Sequence, residues 1–103
     1  MKKSEKITPN ARKKPQYIFR LYVAGNEPNS QLARENLKRI CNKYLKDQCQ
    51  IEEVDVMINF ASALKDRIFV TPTLILVEPE ARVIVIGNLG DEDRVISALR
   101  LRI

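Results

Sequence analysis

The chain has 103 residues, 45% hydrophobic and 30% charged, which gives room for one globular domain with its own core. No apolar run approaches the roughly 18 residues of a membrane span, and the N-terminus lacks the apolar segment of a secretory signal, so we expect a cytoplasmic protein. The net charge of +5 is a possible sign of a nucleic-acid partner, and its weight depends on where in the chain the excess lies.

Residues 1–15 hold the whole of this excess positive charge. They contain six basic side chains and one acid, and the remaining chain has 12 basic and 12 acidic residues. With Ile7 as nearly its only large apolar residue, the segment cannot bury enough surface to offset the entropy of ordering it. We therefore expect a flexible basic tail over residues 1–15 and a folded domain over residues 16–103. Such a tail can attract nucleic acid or anionic lipid, but a solvated extension is the more common case, so we expect neither a nucleic-acid nor a membrane partner. Nucleic-acid binding through the tail is the alternative.

The first half of the domain predicts a strand, a helix and a second strand. Residues 16–24 are almost continuously apolar and rich in β-branched and aromatic types, which favours a strand buried on both faces. After the turn formers of residues 25–29, a helix begins near Ser30 with Asn29 or Ser30 as its N-cap. Residues 50–56 alternate apolar and acidic side chains and predict a strand parallel to the first.

The two cysteines have a spacing that fits neither a C-x-x-C redox pair nor a zinc site. Cys41 lies on the apolar stripe of the first helix, where it would act as a small hydrophobe, and Cys49 lies in the loop that follows. The other members of that stripe are Ala33, Leu37, Ile40, Tyr44 and Leu45. Histidine is absent, and Glu52 points to the strand face opposite Glu53 and Asp55, so we expect neither a metal nor a cofactor.

The second half predicts a short helix and then a hairpin. Residues 60–65 form a helix capped by Asn59, with Ala61 and Leu64 toward the core. Two β-rich runs flank the turn Pro79-Glu80-Ala81. The strands of this hairpin cover residues 74–78 and 82–86.

A last helix follows, with Asp91 as its N-cap. Its predicted core-facing residues are Val95, Ile96, Leu99 and Ile103. Glu92 and Asp93 in the first turn, with Arg100 and Arg102 in the last, suit the helix dipole. The resulting order, βαβαββα, predicts an α/β protein with a thioredoxin-like fold, in which a mixed sheet is flanked by helices.

Thiol chemistry is not expected at the usual place in this fold. Thioredoxin-like enzymes hold a thiolate at the N-terminus of the helix after the first strand, and residues 25–30 contain no cysteine. Ser30 has no base nearby in the sequence to activate it, and capping is its expected role. The motif Thr71-Pro72-Thr73 precedes a strand where this fold keeps a cis-proline, and we assign it to the architecture. A thioredoxin-like reductase and a glutathione-binding transferase are the disfavoured alternatives.

A set of short motifs resembles the KaiB family of the cyanobacterial clock. The segment Leu21-Tyr22-Val23-Ala24-Gly25-Asn26, followed by Pro28-Asn29-Ser30, is similar to the motif that opens KaiB proteins. The resemblance spans residues 17 to about 101 and continues through Val54-Asp55-Val56, Asp66-Arg67-Ile68, Thr71-Pro72-Thr73-Leu74 and Ile86-Gly87.

This resemblance implies a regulatory binding protein and no catalysis. KaiB proteins bind the N-terminal ATPase ring of the KaiC hexamer, sequester KaiA, and affect output kinases that carry a related thioredoxin-like domain. The candidate partner-binding residues that it implies are Asn26, Pro28, Asn29, Glu52 and Arg67. The three turn residues Asn26, Pro28 and Asn29 could equally serve to shape the loop.

Two departures from clock members bear on the partner. Glu52 stands where clock members tend to be basic, which argues against KaiA binding. Leu32 stands where arginine is common, which leaves the affinity for KaiC open. The implied function is binding of a KaiC-type ATPase, in circadian timing or in a clock-derived stress or signalling system. The alternative is a KaiB paralogue that has diverged to another protein partner.

KaiB proteins also switch between two folds, a tetramer-forming ground state and a thioredoxin-like state that binds KaiC, and such states differ by a few kcal/mol. Ala98 replaces a common glycine and favours a helix by about 1 kcal/mol. Arg100 replaces a common acid and suits a helix C-terminus by roughly 0.3–1 kcal/mol. Together with the motif of Thr71, Pro72 and Thr73, these residues predict the thioredoxin-like form as a monomer or weak dimer. We expect a tetramer in the alternative case, in which the chain adopts the ground-state fold.

Overall fold

The computed structural model describes residues 16–46, 48–79 and 83–100. Its elements in chain order are β1 (Tyr17–Val23), α1 (Pro28–Ile40), a π-helical turn (Cys41–Leu45), β2 (Cys49–Asp55), α2 (Phe60–Lys65), β3 (Thr73–Glu78), β4 (Val83–Ile86) and α3 (Glu92–Leu99). Apart from the π turn, this is the predicted order βαβαββα. The predictions for the basic tail, for Glu80, Ala81 and Arg82, and for Arg102 and Ile103 fall outside the described residues.

The four strands form one mixed sheet in the order β2-β1-β3-β4. Strands β1 and β2 are parallel, in a register that runs from Tyr17 opposite Cys49 to Val23 opposite Asp55. Strand β3 is antiparallel to β1, and β4 is antiparallel to β3. The predicted parallel βαβ unit is therefore confirmed, and among the described residues β2 lies at one edge of the sheet and pairs with β1 alone.

One face of the sheet carries the core. Phe19, Leu21 and Val23 of β1 are fully buried there, because alternate residues of a strand share a face. They cluster with apolar residues of both long helices and of the neighbouring strands: Ala33, Leu37, Ile40, Leu74, Leu76, Val85, Val95 and Leu99. Tyr22, on the opposite face, is also fully buried, so the C-terminal half of β1 is covered on both sides as predicted.

Helix α1 begins two residues earlier than the sequence predicted, and its cap is Glu27. The Glu27 carboxylate accepts hydrogen bonds from the backbone N–H of Asn29 (3.2 Å) and Ser30 (3.0 Å), and these bonds lower the pKa of Glu27. Pro28 takes the first helical position, where a missing N–H costs nothing. Ser30 turns inward instead, and its hydroxyl accepts from the Ala24 N–H at 3.1 Å.

Helix α2 has the predicted bounds but not the predicted orientation. Ala63 is its buried residue, whereas Ala61 and Leu64 are exposed. Asn59 precedes the helix without donating or accepting a side-chain capping bond. The turn before the helix sets its rotation, because the Asp55 carbonyl accepts from the N–H groups of residues 58 and 59. A helix of six residues is too short for a periodic stripe to report this rotation.

Helix α3 begins as predicted. The Asp91 carboxylate accepts from the Arg94 N–H at 3.2 Å, and Val95 and Leu99 are buried. The helix ends at Leu99, so Arg100 follows the last turn in a left-handed conformation (φ 56°) and does not lie within it as predicted. Its charge still stands at the C-terminal end of the helix, where the dipole favours a cation.

Ala98 lies inside α3 and is exposed, so it tests the helix without disturbing the core. We expect Ala98→Gly to lower the free energy of unfolding by about 1 kcal/mol, because glycine loses more backbone freedom in a helix. Urea unfolding of the two proteins, with Ala98→Ser as an intermediate control, measures the difference. Equal stability of all three, or amide chemical shifts typical of a strand over residues 92–99, would contradict the helix.

The cysteines depart from the prediction. Cys49 is the first residue of β2 and half-buried, not a loop residue, and it forms a disulfide with Cys41. Cys41 is buried in the core as predicted, with 7% of its surface exposed. The π turn after α1 brings the Cα atoms of the two cysteines to 6.3 Å from each other. Their separation of eight residues in the sequence did not indicate that they would be this close.

No helix in the described part of the chain is both long and apolar enough to cross a membrane.

Candidate partner-binding surface

The turn after β1 and the turn after β2 meet at one end of the sheet, because the two strands are parallel. Asp55 joins them: its Oδ1 accepts from the Gly25 N–H (3.1 Å) and from the Met57 N–H (3.0 Å). The Val56 N–H also donates to the carbonyl of Val23 at 2.8 Å. The two turns therefore form one continuous edge, held together by the Asp55 carboxylate and by this backbone bond.

The predicted turn residues lie on this edge and are exposed. The Asn26 carbonyl accepts from Gln31 Nε2 at 2.8 Å, and Pro28 begins α1. Asn29 Oδ1 accepts from Asn88 Nδ2 at 3.3 Å, which links this turn to the loop before α3. Each of these residues has a local structural contact and also offers surface to a partner.

An exposed apolar group next to this edge was not predicted. Its six members lie in the turn before α2, on α2 and in the loop after it: Met57, Ile58, Phe60, Leu64, Phe69 and Val70. We call this group the α2 apolar surface. At least half of every side chain is accessible, with Ile58 84% and Phe69 80% exposed, and a shallow cavity of about 200 Å³ lies between Phe60, Phe69 and Val70. The sequence did carry one sign of this surface: its large apolar residues stand beside turns, and not at the helical spacing of an apolar stripe.

Arg67 ends α2 in a left-handed conformation (φ 58°) that usually belongs to glycine. Its N–H donates to the Leu64 carbonyl (3.1 Å), and the Ile68 N–H donates to the Ala63 carbonyl (2.9 Å), which together make a Schellman turn. A bulky residue is strained at this position by about 1 kcal/mol, and its side chain is exposed. Arg67 thus lies in the turn between Leu64 and Phe69, and it lines a second cavity of about 200 Å³ together with Arg20 and Ile84.

Glu52 lies on the sheet face opposite the core, where it is engaged within the protein. Arg20 donates to Glu52 Oε1 from Nε (3.1 Å) and Nη2 (3.0 Å), and to Asp66 Oδ2 from Nη1 at 3.3 Å. The Tyr22 hydroxyl also donates to Asp66. Burial, followed by the bond to Asp66, raises the pKa of Tyr22, so this hydroxyl stays protonated. The network ties Glu52 to the C-terminal end of α2, next to Arg67.

Glu53 points to the other face, as predicted from strand alternation. Its Oε2 accepts from Arg34 Nε at 2.9 Å, and Arg34 Nη2 donates to the Gly25 carbonyl at 2.8 Å. The acids of β2 are therefore divided between two ion pairs, one on each face. Asp55, the third acid, accepts the hydrogen bonds from the two turns that are described above.

The Thr71-Pro72-Thr73 segment holds the far end of the α2 apolar surface against the sheet. The peptide bond before Pro72 is cis. The Pro72 carbonyl accepts from the Gly87 N–H at 3.0 Å, and Thr73 Oγ1 donates to the Val70 carbonyl at 2.7 Å. A cleft of about 370 Å³ opens between this segment, Asn29 and the loop before α3. Neither cysteine lines it, since both are bonded to each other at the opposite end of β2.

Comparison with known proteins agrees with the motifs and the fold. A model of the KaiB domain matches residues 20–101. The circadian clock oscillator protein KaiB of Synechococcus sp. (strain CC9311) is 40% identical over 85 residues, which cover 82% of this chain and 71% of the relative. The protein of the same name from Microcystis aeruginosa is 39% identical over 88 residues, which cover 85% of each.

Solved structures agree on the thioredoxin-like fold. The N-terminal domain of Synechococcus elongatus SasA superposes with a TM-score of 0.69 at 22% identity, over 93% of each chain. Mitochondrial thioredoxin 3 from Saccharomyces cerevisiae gives 0.68 at 15% identity, over 89% of this chain and 85% of that one. With the family match over most of its length and relatives near 40% identity, the chain belongs to the KaiB family of circadian clock proteins.

Proposed function

We propose that this chain is a non-catalytic regulatory protein that binds a KaiC-type ATPase hexamer, in circadian timing or in a clock-derived stress or signalling system. The observation that carries the proposal is the α2 apolar surface. Single exposed apolar residues are normal, but six of them within residues 57–70, three of which line one cavity, are typical of a protein-binding site. Membership of the KaiB family directs the choice of partner to a KaiC-type ATPase.

The charges around the α2 apolar surface define the chemistry of the partner. Lys65 and Arg67 lie between Leu64 and Phe69 in the chain, and neither forms an ion pair with a carboxylate in residues 16–46, 48–79 or 83–100. Asp66, which lies between them, is already bound by Arg20 and Tyr22. The rim is therefore basic, and it suits a partner surface that combines apolar side chains with acids.

The predicted turn residues complete this surface. Asn26, Pro28 and Asn29 are exposed on the edge that Asp55 joins to Met57, so a partner seated on the α2 apolar surface would reach them. Glu52 acts through Arg20 and Asp66, as a positioning residue for the end of α2. We propose a cytoplasmic monomer or weak dimer, with a tetramer only in the alternative ground-state fold. Glu52 makes KaiA a disfavoured partner.

Absence of catalysis is part of the proposal. The chain has no histidine, the turn after β1 has no cysteine, and the two cysteines form a disulfide away from that turn. We expect no reduction of insulin by dithiothreitol-regenerated protein beyond the dithiothreitol blank. A catalysed rate comparable with a thioredoxin control would overturn this part of the proposal.

The test of partner binding is size-exclusion chromatography with the KaiC-type hexamer of the same genome and ATP. We expect the two proteins to co-elute. Arg67→Gly should weaken the complex while leaving thermal stability equal or higher, because glycine relieves the left-handed strain as the cation is removed. Arg67→Lys keeps a cation and serves as the matched control. Separate elution of the wild-type chain would overturn the proposal and favour a paralogue with another protein partner.

A further inference from the structure

Cys41 and Cys49 are the only cysteines of the chain, and they differ in access. Cys41 opens the π turn and is buried in the core, whereas Cys49 opens β2 and is half-buried. Their disulfide ties the end of the first helical segment to the first residue of the edge strand. Cys49 is the less buried of the two, so it is the residue at which an external thiol or disulfide can react, and Cys41 is placed to resolve the product.

The backbone holds the two cysteines near each other independently of the bridge. The Gln48 N–H donates to the Leu45 carbonyl at 2.8 Å, and the Tyr17 N–H donates to the Gln48 carbonyl at 2.8 Å. These bonds close the loop between the π turn and β2 onto the start of β1. After reduction the two thiols remain at the same end of the sheet, where they can recombine within one molecule.

We propose that Cys41 and Cys49 form a reversible redox site that exchanges with glutathione-type low-molecular-weight disulfides. The Cys49 thiolate attacks glutathione disulfide, which releases one glutathione thiolate and leaves a mixed disulfide on Cys49. The Cys41 thiolate then attacks the Cys49 sulfur and expels the second glutathione. The two cysteine thiols are oxidised, glutathione disulfide is reduced to two glutathione molecules, and the two thiol protons pass to them.

The bridge stabilises the edge of the sheet. Within the described part of the chain strand β2 is paired on one side, and its first residue is the one that the disulfide holds. In a reducing cytoplasm, disulfides are characteristically transient and redox-sensing, so oxidation there would switch the edge strand from a looser to a tighter state. Closing a loop of this length raises the thermal midpoint of a small domain by about 10 °C.

The test uses the purified full chain without a partner, so its outcome is independent of the proposed function. The reduced protein is incubated with glutathione disulfide and followed by mass spectrometry under acid quench and by thermal unfolding. We expect a monomer that has lost two hydrogens, a midpoint raised by about 10 °C, slower amide exchange over residues 42–50, and full reversal by dithiothreitol.

A Cys41→Ala/Cys49→Ala double variant is the control, and its midpoint and amide exchange should not respond to glutathione disulfide. If that variant is unfolded, the same readouts on wild-type protein with its thiols blocked by iodoacetamide replace it. A persistent glutathione adduct, a disulfide between two chains, or a midpoint and exchange pattern equal in both redox states would overturn the proposal.

Discussion

Phe69→Asp is expected to lower the affinity for the KaiC-type hexamer by roughly thirty-fold or more, the loss typical of a central interface residue. The ring is 80% exposed in the free protein and borders the cavity between Phe60 and Val70. A partner that covers it would bury a carboxylate among apolar groups in the variant. Because the ring contributes little to the core, the thermal midpoint should stay within a few degrees of wild type. Titration of labelled protein with hexamer and ATP measures the affinity.

The control for this prediction is Asn42→Asp, which adds the same charge elsewhere. Asn42 is exposed in the π turn, at the end of the sheet opposite the two joined turns. We expect its affinity to match that of wild type within about two-fold, since exposed charges farther apart than a Debye length are largely screened. Equal losses in both variants would indicate a general charge effect, and no loss in Phe69→Asp would remove this residue from the interface.

Asp55→Ala is expected to lower the free energy of unfolding by about 2–3 kcal/mol. One carboxylate oxygen accepts two backbone N–H groups, from Gly25 and Met57, and bonds to an ionised acceptor are stronger than neutral ones. Loss of both leaves the two turns held by the Val56–Val23 backbone bond without the carboxylate, and it should also weaken partner binding, because Met57 begins the α2 apolar surface. Urea unfolding measures the first effect, and the hexamer titration measures the second.

Asp55→Asn removes the negative charge but keeps the hydrogen-bond geometry, since the amide has one acceptor oxygen at the same place. We expect it to recover part of the stability and most of the affinity. If Asp55→Ala binds the hexamer as tightly as wild type, then the joined edge is not needed for recognition, and the site is confined to α2 and the loop after it.

Strands, helices and the mixed sheet were predictable from the sequence because their patterns are periodic. Val54 and Val56 alternate with acids in the second strand, and the buried positions of α1 recur at helical spacing. The cap of α1 was not predictable, since Glu27 is not among the common capping residues and acts here through a side chain that bridges two N–H groups. The orientation of α2 depends on the turn that precedes it, and the pattern of the six helical residues alone carries no information about that turn.

The candidate site was predicted only in part. Asn26, Pro28, Asn29 and Arg67 were implied by the family motifs, and they remain predictions for binding. The α2 apolar surface depends on burial, which is a property of the whole fold: Phe69 and Ala63 are close in sequence, yet one is exposed and the other buried. The disulfide likewise depends on the π turn, and neither local pattern nor cysteine spacing indicated it.

Hydrogen–deuterium exchange of this chain, alone and with the KaiC-type hexamer and ATP, tests the partner surface most directly. We predict slower exchange over residues 56–70 and over the turn at residues 25–29, with no change over the π turn at residues 41–45. Slower exchange confined to the π turn or to strand β4, with residues 56–70 unchanged, would contradict the account.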